Sequence, residues 1–211
     1  MSTWSISSDY RDWDPEPLPL LPDEVIIKEW SHIATGTHGT VTKAFIQNGE
    51  FEGYVCIKLF TEECKPAYER ETLAYELLSY RGVRGCIPEA YWKGCFPWSR
   101  LNTARTDSDE EMYYWLVLEY FEDCRSISFD KLDIPTAEAL CRSVRRIHEG
   151  RVLHGDLQEQ NILLVKEGGS VRVVLIDFSC AWLQPHPKTL LTEYDSMLAL
   201  LLREMVQLVH N

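Results

Sequence analysis

Residues 154–161 read His154-Gly155-Asp156-Leu157-Gln158-Glu159-Gln160-Asn161, and Asp177-Phe178 follows farther along the chain. Between these motifs lie two apolar segments on either side of a Gly-Gly-Ser turn, a pattern that predicts a β-hairpin. Asn161 opens this hairpin and Asp177 closes it, so the paired strands carry both side chains to the same end. Amide and carboxylate oxygens are donors that suit a hard metal ion. The stretch therefore indicates a polar site built on a strand-turn-strand unit.

The overall composition indicates one acidic domain. The chain has 211 residues, of which 45% are hydrophobic, and this is enough apolar material for a core. The formal net charge of -12 argues against nucleic acid and anionic membrane surfaces as partners, because both are polyanions and would be repelled. It does not exclude a phosphate ligand, since local lysines, backbone amides and metal ions can bind phosphates.

Several sequence features favour a cytoplasmic protein. The N-terminus lacks the basic and apolar regions of a signal peptide, and the longest apolar run, 197–202, is too short to cross a bilayer. The chain contains seven cysteines, an odd number, and none of them forms a C-x-x-C pair. We therefore expect mostly free thiols in a reducing compartment.

The apolar pattern of the first part predicts strands and one helix. Residues 1–22 are acidic and proline-rich, which favours a flexible or partly docked tail before a domain over 23–211. Extended segments between 25 and 60 and between 89 and 120 predict five strands. A helix is predicted over 64–81, where apolar residues recur at helical spacing.

The second part is predicted to be richer in helix. A helix begins at Pro135-Thr136 and ends at Gly150, and the hairpin described above follows it. A closing helix is predicted to begin at the capping box Thr192-Glu193-Tyr194-Asp195. Together the two parts predict an α+β fold.

Two further motifs precede the loop at 154–161. The segment Ala34-Thr35-Gly36-Thr37-His38-Gly39-Thr40-Val41 is a glycine-rich turn whose amides could approach phosphate oxygens, although a plain hairpin turn would look the same. The strand Val55-Cys56-Ile57-Lys58 carries a lysine that, taken alone, could lie at a sheet surface. In the next helix Glu71 shares a face with Tyr75 and Leu78 and can turn inward, whereas Glu69, the rival carboxylate, lies on another side of the helix.

In this order, the motifs resemble those of the protein-kinase-like superfamily over roughly residues 25–200. The loop is most similar to that of small members with His-Gly-Asp, such as aminoglycoside-phosphotransferase-like, RIO-like and fungal kinase-like proteins. The resemblance implies a two-lobed fold. It implies an N-lobe at about 23–120, with a five-stranded antiparallel sheet and one helix, and a truncated, mainly helical C-lobe at about 121–211. ATP and Mg²⁺ are the implied cofactors.

The resemblance also implies a role for each matching residue. Asp156 would accept or orient the proton of an attacking hydroxyl, Lys58 would bridge the α- and β-phosphates, and Glu71 would pair with Lys58. Asn161 and Asp177 would bind the Mg²⁺ that neutralises the phosphates. The nucleotide would contact residues of the turn, the strands and the hinge: Gly36, Gly39, Val41, Cys56, Lys58, Leu118, and the backbone of Glu119 and Phe121.

The sequence departs from the family pattern at several positions. Gly155 replaces the arginine that binds a phosphorylated activation loop, so that form of switching is not expected. Gln158 stands where Ser/Thr kinases usually place a lysine. Ser179 replaces the last glycine of Asp-Phe-Gly, so the loop after Phe178 should be less free to flip. Asp195 could brace the catalytic loop from the last helix or could simply be a carboxylate near a helix N-terminus.

The sequence thus leaves two main hypotheses and a third, in which the apolar last helix, 190–209, pairs with a partner or with itself. The first is an ATP- and Mg-dependent phosphotransferase that acts on a hydroxyl of a protein Ser/Thr or of a small molecule. The alternative is a pseudokinase, a nucleotide-binding or scaffolding module, which is favoured by Ser179 and by the 32 residues (211 − 179) that follow it without an Ala-Pro-Glu motif. The acceptor cannot be read from the sequence.

Overall fold

The chain has an α+β fold around a five-stranded antiparallel sheet, which confirms the predicted fold class at this level. The computed structural model describes residues 16–97, 99 and 111–210. The strand order in the sheet is β1-β2-β3-β5-β4. The elements of this first part are β1 (Ile26–Gly36), β2 (Gly39–Gln47), β3 (Glu52–Phe60), α1 (Lys65–Tyr80), β4 (Ala90–Pro97) and β5 (Met112–Glu119).

The two faces of this sheet have different neighbours, because side chains alternate along each strand. On one face Val55 and Trp115 are buried and pack with residues that precede β1, among them Leu21. On the other face Phe60 and Leu116 pack with the buried side of α1. Lys58 is two residues from Phe60, so it shares the face that α1 covers.

The second part of the chain contains two longer helices and two small sheets. Its elements are β6 (Cys124–Ser126), α2 (Ile134–Glu149), β7 (Val152–Leu153), β8 (Ile162–Glu167), β9 (Ser170–Leu175), β10 (Trp182–Leu183) and α3 (Pro187–His210). Strands β6, β8 and β9 form one sheet, and β7 pairs with β10. The hairpin predicted between Asn161 and Asp177 is present as β8 and β9.

Helix α2 has the cap and the apolar stripe that its sequence requires. The carboxylate of Asp133 accepts a hydrogen bond from the backbone amide of Thr136 at 2.9 Å, which satisfies a free amide of the first turn. Leu140, Val144 and Ile147 are completely buried on one side of the helix. This side packs against β9 and α3 and anchors the chain that leads into residues 154–161.

The predicted start of the last helix was wrong. Helix α3 begins at Pro187 and not at the Thr192 box. A proline is well suited to a first turn, because its missing N–H has no helical partner there. The Thr192 hydroxyl donates to the Lys188 carbonyl at 3.0 Å, as it would in a helix interior. Among the described residues, no helix combines the length and the hydrophobicity that a membrane span needs.

The segment just before β1 is docked on the sheet. The backbone amide of Leu21 donates to the carbonyl of Lys93 on β4 at 2.9 Å, and the amide of Lys93 donates to Pro19 at 3.0 Å. The buried carboxylate of Glu76 on α1 accepts from the amide of Leu18 at 2.8 Å. The aromatic residues Trp4, Tyr10 and Trp13, which could also pack on the domain, lie outside the described residues.

Candidate functional site

The lysine of β3 lies between two carboxylates. Its Nζ is 2.7 Å from Oε2 of Glu71 on α1 and 2.8 Å from Oδ1 of Asp177, which follows β9. Lys58 and Glu71 keep only 7% and 1% of their side-chain surface exposed, whereas Asp177 keeps 34%. Glu69, the rival partner, is exposed. The structure therefore joins three residues from separate elements at one point.

Burial and charge act against each other on these three groups. Burial alone would lower the pKa of Lys58, but the two carboxylates outweigh it and raise the pKa, so the ammonium stays charged. Burial raises the pKa of Glu71, and the charge of Lys58 opposes this rise. Burial would also raise the pKa of Asp177, but Lys58 and the hydrogen bonds from Ser179 prevail and lower it. Of the two carboxylates, Glu71 and Asp177, it is thus Asp177 whose ionised form the site favours.

Asp177 is held in an unusual backbone conformation by its neighbours. Its φ of 64° lies in the left-handed region, which residues other than glycine seldom adopt. Its Oδ1 accepts hydrogen bonds from the hydroxyl and the backbone amide of Ser179, at 2.5 and 3.2 Å. The same hydroxyl lies 3.0 Å from Nδ1 of His38 in the β1–β2 turn, and the Ser179 carbonyl accepts from Arg70 of α1 at 2.5 Å. Ser179 therefore joins the turn, α1 and Asp177.

Asp156 and Asn161 contact each other within the loop that precedes β8. Nδ2 of Asn161 donates to Oδ2 of Asp156 at 2.8 Å and to its backbone carbonyl at 3.0 Å. Nε2 of Gln158 donates to the other carboxylate oxygen, Oδ1, at 2.6 Å. Gln158 thus orients the carboxylate, where a lysine in its place would add a positive charge. Each oxygen of Asp156 accepts one amide hydrogen and retains a lone pair.

His154 is a buried, neutral imidazole. Its Nδ1 accepts from the backbone amide of Asp156 at 3.3 Å, so Nε2 carries the proton and donates to the carbonyl of Ile176 at 3.0 Å. Burial lowers its pKa, in agreement with a neutral ring. The His154 ring lies 4.8 Å from that of Phe178, which lies 5.2 Å from that of Tyr75 on α1. This stack connects the loop, the Asp177 segment and α1.

The carboxylate of Glu193 on α3 holds the loop at 154–161 in place through hydrogen bonds. Oε2 of Glu193 accepts from Nε2 of His148 at 2.7 Å and from the amide of His154 at 3.1 Å, and Oε1 accepts from the amide of Gly155 at 2.7 Å. Burial would raise the pKa of Glu193, but these hydrogen bonds outweigh it and lower the pKa. Asp195, the residue considered for this role from the sequence, is exposed, so that assignment was wrong.

Helical spacing could have identified Glu193. Leu190, Met197 and Leu201 form the buried side of α3. Glu193 is three residues after Leu190 and four before Met197, so it shares that side, whereas Asp195 does not. The sequence pattern of the helix therefore contains the signal for Glu193, whereas Asp195 is only the aspartate that the family resemblance suggests for this role.

The glycine in the His-Gly-Asp motif has a steric cause. Gly155 has a φ of 79°, and a Cβ placed on it would overlap with the backbone carbonyl of Cys180. An arginine at this position would require the segment around Cys180 to move. The absence of an arginine therefore follows from close packing of two backbones.

Four of the residues predicted to contact a nucleotide lie on one side of the sheet: Val41, Cys56, Lys58 and Leu118. In the strand register Val41 on β2 pairs with Lys58, and Cys56 on β3 pairs with Leu118 on β5. Burial raises the pKa of the Cys56 thiol to about 12, so it remains protonated. A Cβ on Gly39 would overlap with the carbonyl of Leu59, whereas one on Gly36 would meet little. Only the second glycine of the turn is thus required by packing.

Glu119, the last residue of β5, and Phe121, two residues farther on, can offer backbone groups. The amide of Glu119 donates to the carbonyl of Glu89 at 2.8 Å, and its carboxylate pairs with Arg172 at 3.3 Å. The ring of Phe121 is buried against Val165 and is covered by the guanidinium of Arg172. These contacts hold both side chains against other parts of the protein. Only main-chain groups of Glu119 and Phe121 are therefore available to bind a ligand.

The oxygen donors fit a magnesium ion that also binds phosphates. Within the described residues, no group of three His, Cys, Asp or Glu side chains forms a complete metal cage. All side-chain bonds of Asp177 to described residues use Oδ1, and the bonds of Asn161 use its amide nitrogen. One oxygen of each side chain is thus left. Mg²⁺ is commonly bound by one or two protein oxygens, substrate phosphates and water.

Comparison with known families agrees with this geometry. Residues 120–190 match the model of the lipopolysaccharide kinase (Kdo/WaaP) family, which is protein-kinase-like. This match covers about a third of the chain, so residues 120–190 are similar to protein-kinase-like proteins. The match spans the hinge, the loop at 154–161 and Asp177, and it supports kinase activity of this protein-kinase-like chain. No curated protein sequence matches the chain.

Proposed function

We propose that the chain is an atypical kinase that transfers the γ-phosphate of ATP to a hydroxyl group in an Mg-dependent reaction. The observation that supports this most directly is the contact of Lys58 with both Glu71 and Asp177, at 2.7 and 2.8 Å. Burial of three charged groups carries a desolvation cost, and in this proposal the ammonium of Lys58 binds the triphosphate of ATP.

In the proposed reaction the acceptor oxygen attacks the γ-phosphorus while the bond to the β–γ bridging oxygen breaks, and ADP leaves. Asp156 accepts the proton of the acceptor hydroxyl, and Gln158 and Asn161 hold its two oxygens in place for that task. Lys58 binds the α- and β-phosphates, and Glu71 keeps it extended. A magnesium ion held by Asn161 and Asp177 would neutralise charge on the β- and γ-phosphates.

The binding of the adenine is part of the same proposal. Val41, Cys56 and Leu118 would border the ring, and the carbonyl of Glu119 and the amide of Phe121 would read its edge. The turn that carries Gly36 and Gly39 would cover the phosphates with its amides. We also propose the two-lobed division, with a boundary near residue 120 between the five-stranded sheet and the second part of the chain.

The acceptor is a hydroxyl of a protein Ser/Thr or of a small molecule. The matching family is described as lipopolysaccharide kinase, which adds a sugar hydroxyl to the second class. Gln158 in place of a lysine supports an acceptor other than a protein Ser/Thr. A cytoplasmic setting belongs to the proposal as well, supported by seven cysteines that are all free thiols.

The proposal is tested by ATP turnover with Mg²⁺ in the wild type and in Asp156→Asn. We expect the rate to fall by about 10²–10⁴-fold, because Asn cannot accept the hydroxyl proton. Asp195→Asn is the matched control, since Asp195 is exposed on α3 and should leave the rate unchanged. Equal background rates in the wild type and in Asp156→Asn would contradict the enzyme proposal.

A pseudokinase is the second candidate, and Ser179 in place of the last glycine of Asp-Phe-Gly favours it. A nucleotide-binding module predicts thermal stabilisation by ATP and Mg²⁺ that disappears in Asp177→Ala, without turnover in either protein. ATP turnover and thermal stabilisation by ATP and Mg²⁺ therefore distinguish the enzyme from the pseudokinase.

A further inference from the structure

We propose that Ser179 and His38 are positioning residues that act through Asp177. They hold one carboxylate oxygen so that the other is presented to the divalent cation of an ATP complex. This inference rests on the proposed function, because it concerns the same phosphate site. Ser179 replaces the last glycine of the Asp-Phe-Gly motif, and His38 lies outside that motif. The proposal gives both residues a role.

The division of labour between the two oxygens of Asp177 is visible in its contacts. Oδ1 receives Nζ of Lys58 at 2.8 Å, the Ser179 hydroxyl at 2.5 Å and the Ser179 amide at 3.2 Å. With three donors on Oδ1, rotation of the carboxylate would break three bonds at once. Oδ2 takes no part in the side-chain bonds to described residues, and 34% of the side chain is exposed. The oxygen left for a cation is therefore fixed in direction.

The protons of this arrangement can be assigned. Ser179 has one hydroxyl proton, and the ionised Asp177 can only accept, so that proton lies on the bond to Oδ1. The Ser179 oxygen must then be the acceptor toward His38, and Nδ1 of His38 must be the donor. A chain of hydrogen bonds thus runs from His38 through Ser179 to Asp177. Donation from His38 polarises the serine hydroxyl and strengthens its bond to the carboxylate.

The position of Ser179 is fixed by the surrounding structure. Ser179 is 3% exposed, and its carbonyl is held by the guanidinium of Arg70 on α1. The serine therefore cannot turn away from Asp177 without breaking a buried contact. His38 in the β1–β2 turn is half-buried, whereas residues 31–37, which precede it, are exposed. The histidine is thus the point at which the turn is fastened to the metal-binding segment.

The test measures how nucleotide binding depends on Mg²⁺. Titrations of ATP at several Mg²⁺ concentrations, and with EDTA, are carried out on the wild type and on Ser179→Ala. We expect the Mg²⁺ concentration for half-maximal tight binding to rise about tenfold in Ser179→Ala, as for a lost hydrogen bond to a charged group. ATP binding in EDTA should change less than twofold. A purely structural role would weaken both forms of binding equally.

Variants of His38 test the order of the hydrogen-bond chain. His38→Ala should shift the Mg²⁺ dependence in the same direction by a few-fold, and His38→Asn should restore it, because an amide N–H can replace the Nδ1 donor. The double variant Ser179→Ala, His38→Ala should resemble Ser179→Ala, since His38 acts only through the serine. His32→Ala and Ser170→Ala are matched controls on exposed positions and should show wild-type values.

The outcomes separate this inference from the function on which it rests. A wild type that shows no Mg-dependent ATP binding would overturn the proposed function and this inference with it. A wild type that binds ATP with Mg²⁺, together with an unchanged Mg²⁺ dependence in a folded Ser179→Ala, would overturn the inference alone. Thermal unfolding establishes that Ser179→Ala is folded. If Ser179→Ala does not fold, His38→Ala, at a half-buried position, is the test. A Mg²⁺ dependence of ATP binding equal to that of the wild type in His38→Ala would then overturn the inference.

Discussion

The two sides of the candidate site are stabilised by different forces. Around Lys58, full charges meet in a buried place, and one cation balances two carboxylates. Around Asp156, neutral side-chain and backbone amides hold two carboxylates, those of Asp156 and Glu193. A buried ion pair fails as a unit when one partner is lost, because the remaining charge is uncompensated. A network of amides loses one bond at a time. The charged side should therefore be the more fragile one.

Lys58→Met should cause the largest loss of stability. The substitution leaves the buried carboxylate of Glu71 without its cation, and we expect the free energy of unfolding at neutral pH to fall by about 3–5 kcal/mol. Urea denaturation measures this loss of unfolding free energy. The double variant Lys58→Met, Glu71→Gln should recover part of the loss, since it removes the unpaired charge.

Lys65→Met is the matched control for this experiment. Lys65 lies 3.9 Å from Glu62, and the two side chains are 42% and 72% exposed. Water solvates this pair, so the change should stay within about 0.5 kcal/mol. A similar loss in the two lysine variants would contradict the distinction between buried and solvated charge.

Gly155→Ala tests the steric side of the loop and should have the next largest effect. The new Cβ would occupy a left-handed backbone, at a cost of about 1–2 kcal/mol. It would also overlap with the Cys180 carbonyl, at a further cost of about 1–3 kcal/mol. Gly82→Ala separates the two contributions, because Gly82 has a similar φ of 72° and open space around it. Denaturation of both variants measures the difference. Equal losses would show that packing against Cys180 is unimportant.

The charged side of the site was also the easier one to predict from the sequence. Lys58 and Glu71 lie in periodic elements, a strand and a helix, so alternation and helical spacing indicate which way each side chain points. Asn161 and Asp177 flank a hairpin whose turn residues are evident. The direction of these side chains follows from local patterns, whereas their catalytic roles stay predictions.

The other side depends on contacts that local patterns do not encode. Helical spacing can place Glu193 on the buried side of α3, but its partners are backbone amides, so no residue type in the sequence identifies them. The overlap at Gly155 involves the main chain of Cys180, which is likewise invisible in the sequence. The bond between His38 and Ser179 joins residues that are far apart along the chain. Such contacts arise only when the elements pack, so the sequence alone could not supply them.

Glu193→Gln addresses the remaining support of the loop and should have the smallest effect of the three. Gln offers one acceptor oxygen where Glu offers two, and its amide group faces other donors. We expect a loss of about 1–2 kcal/mol at pH 7. Asp195→Asn, an exposed change on the same helix, should leave stability unchanged. Denaturation at a series of pH values measures both.

The pH dependence of this loss has a defined direction. The pKa of Glu193 in the folded protein is lowered from its ordinary value of 4.5, so the folded state holds the ionised form more firmly than the unfolded state does. Its contribution to stability is therefore present above that ordinary pKa and is lost as the pH falls through the lower, folded value. The difference in the free energy of unfolding between the wild type and Glu193→Gln should accordingly become smaller in acid. A gap that stays constant or widens below pH 4.5 would show that the carboxylate charge is not what holds the loop.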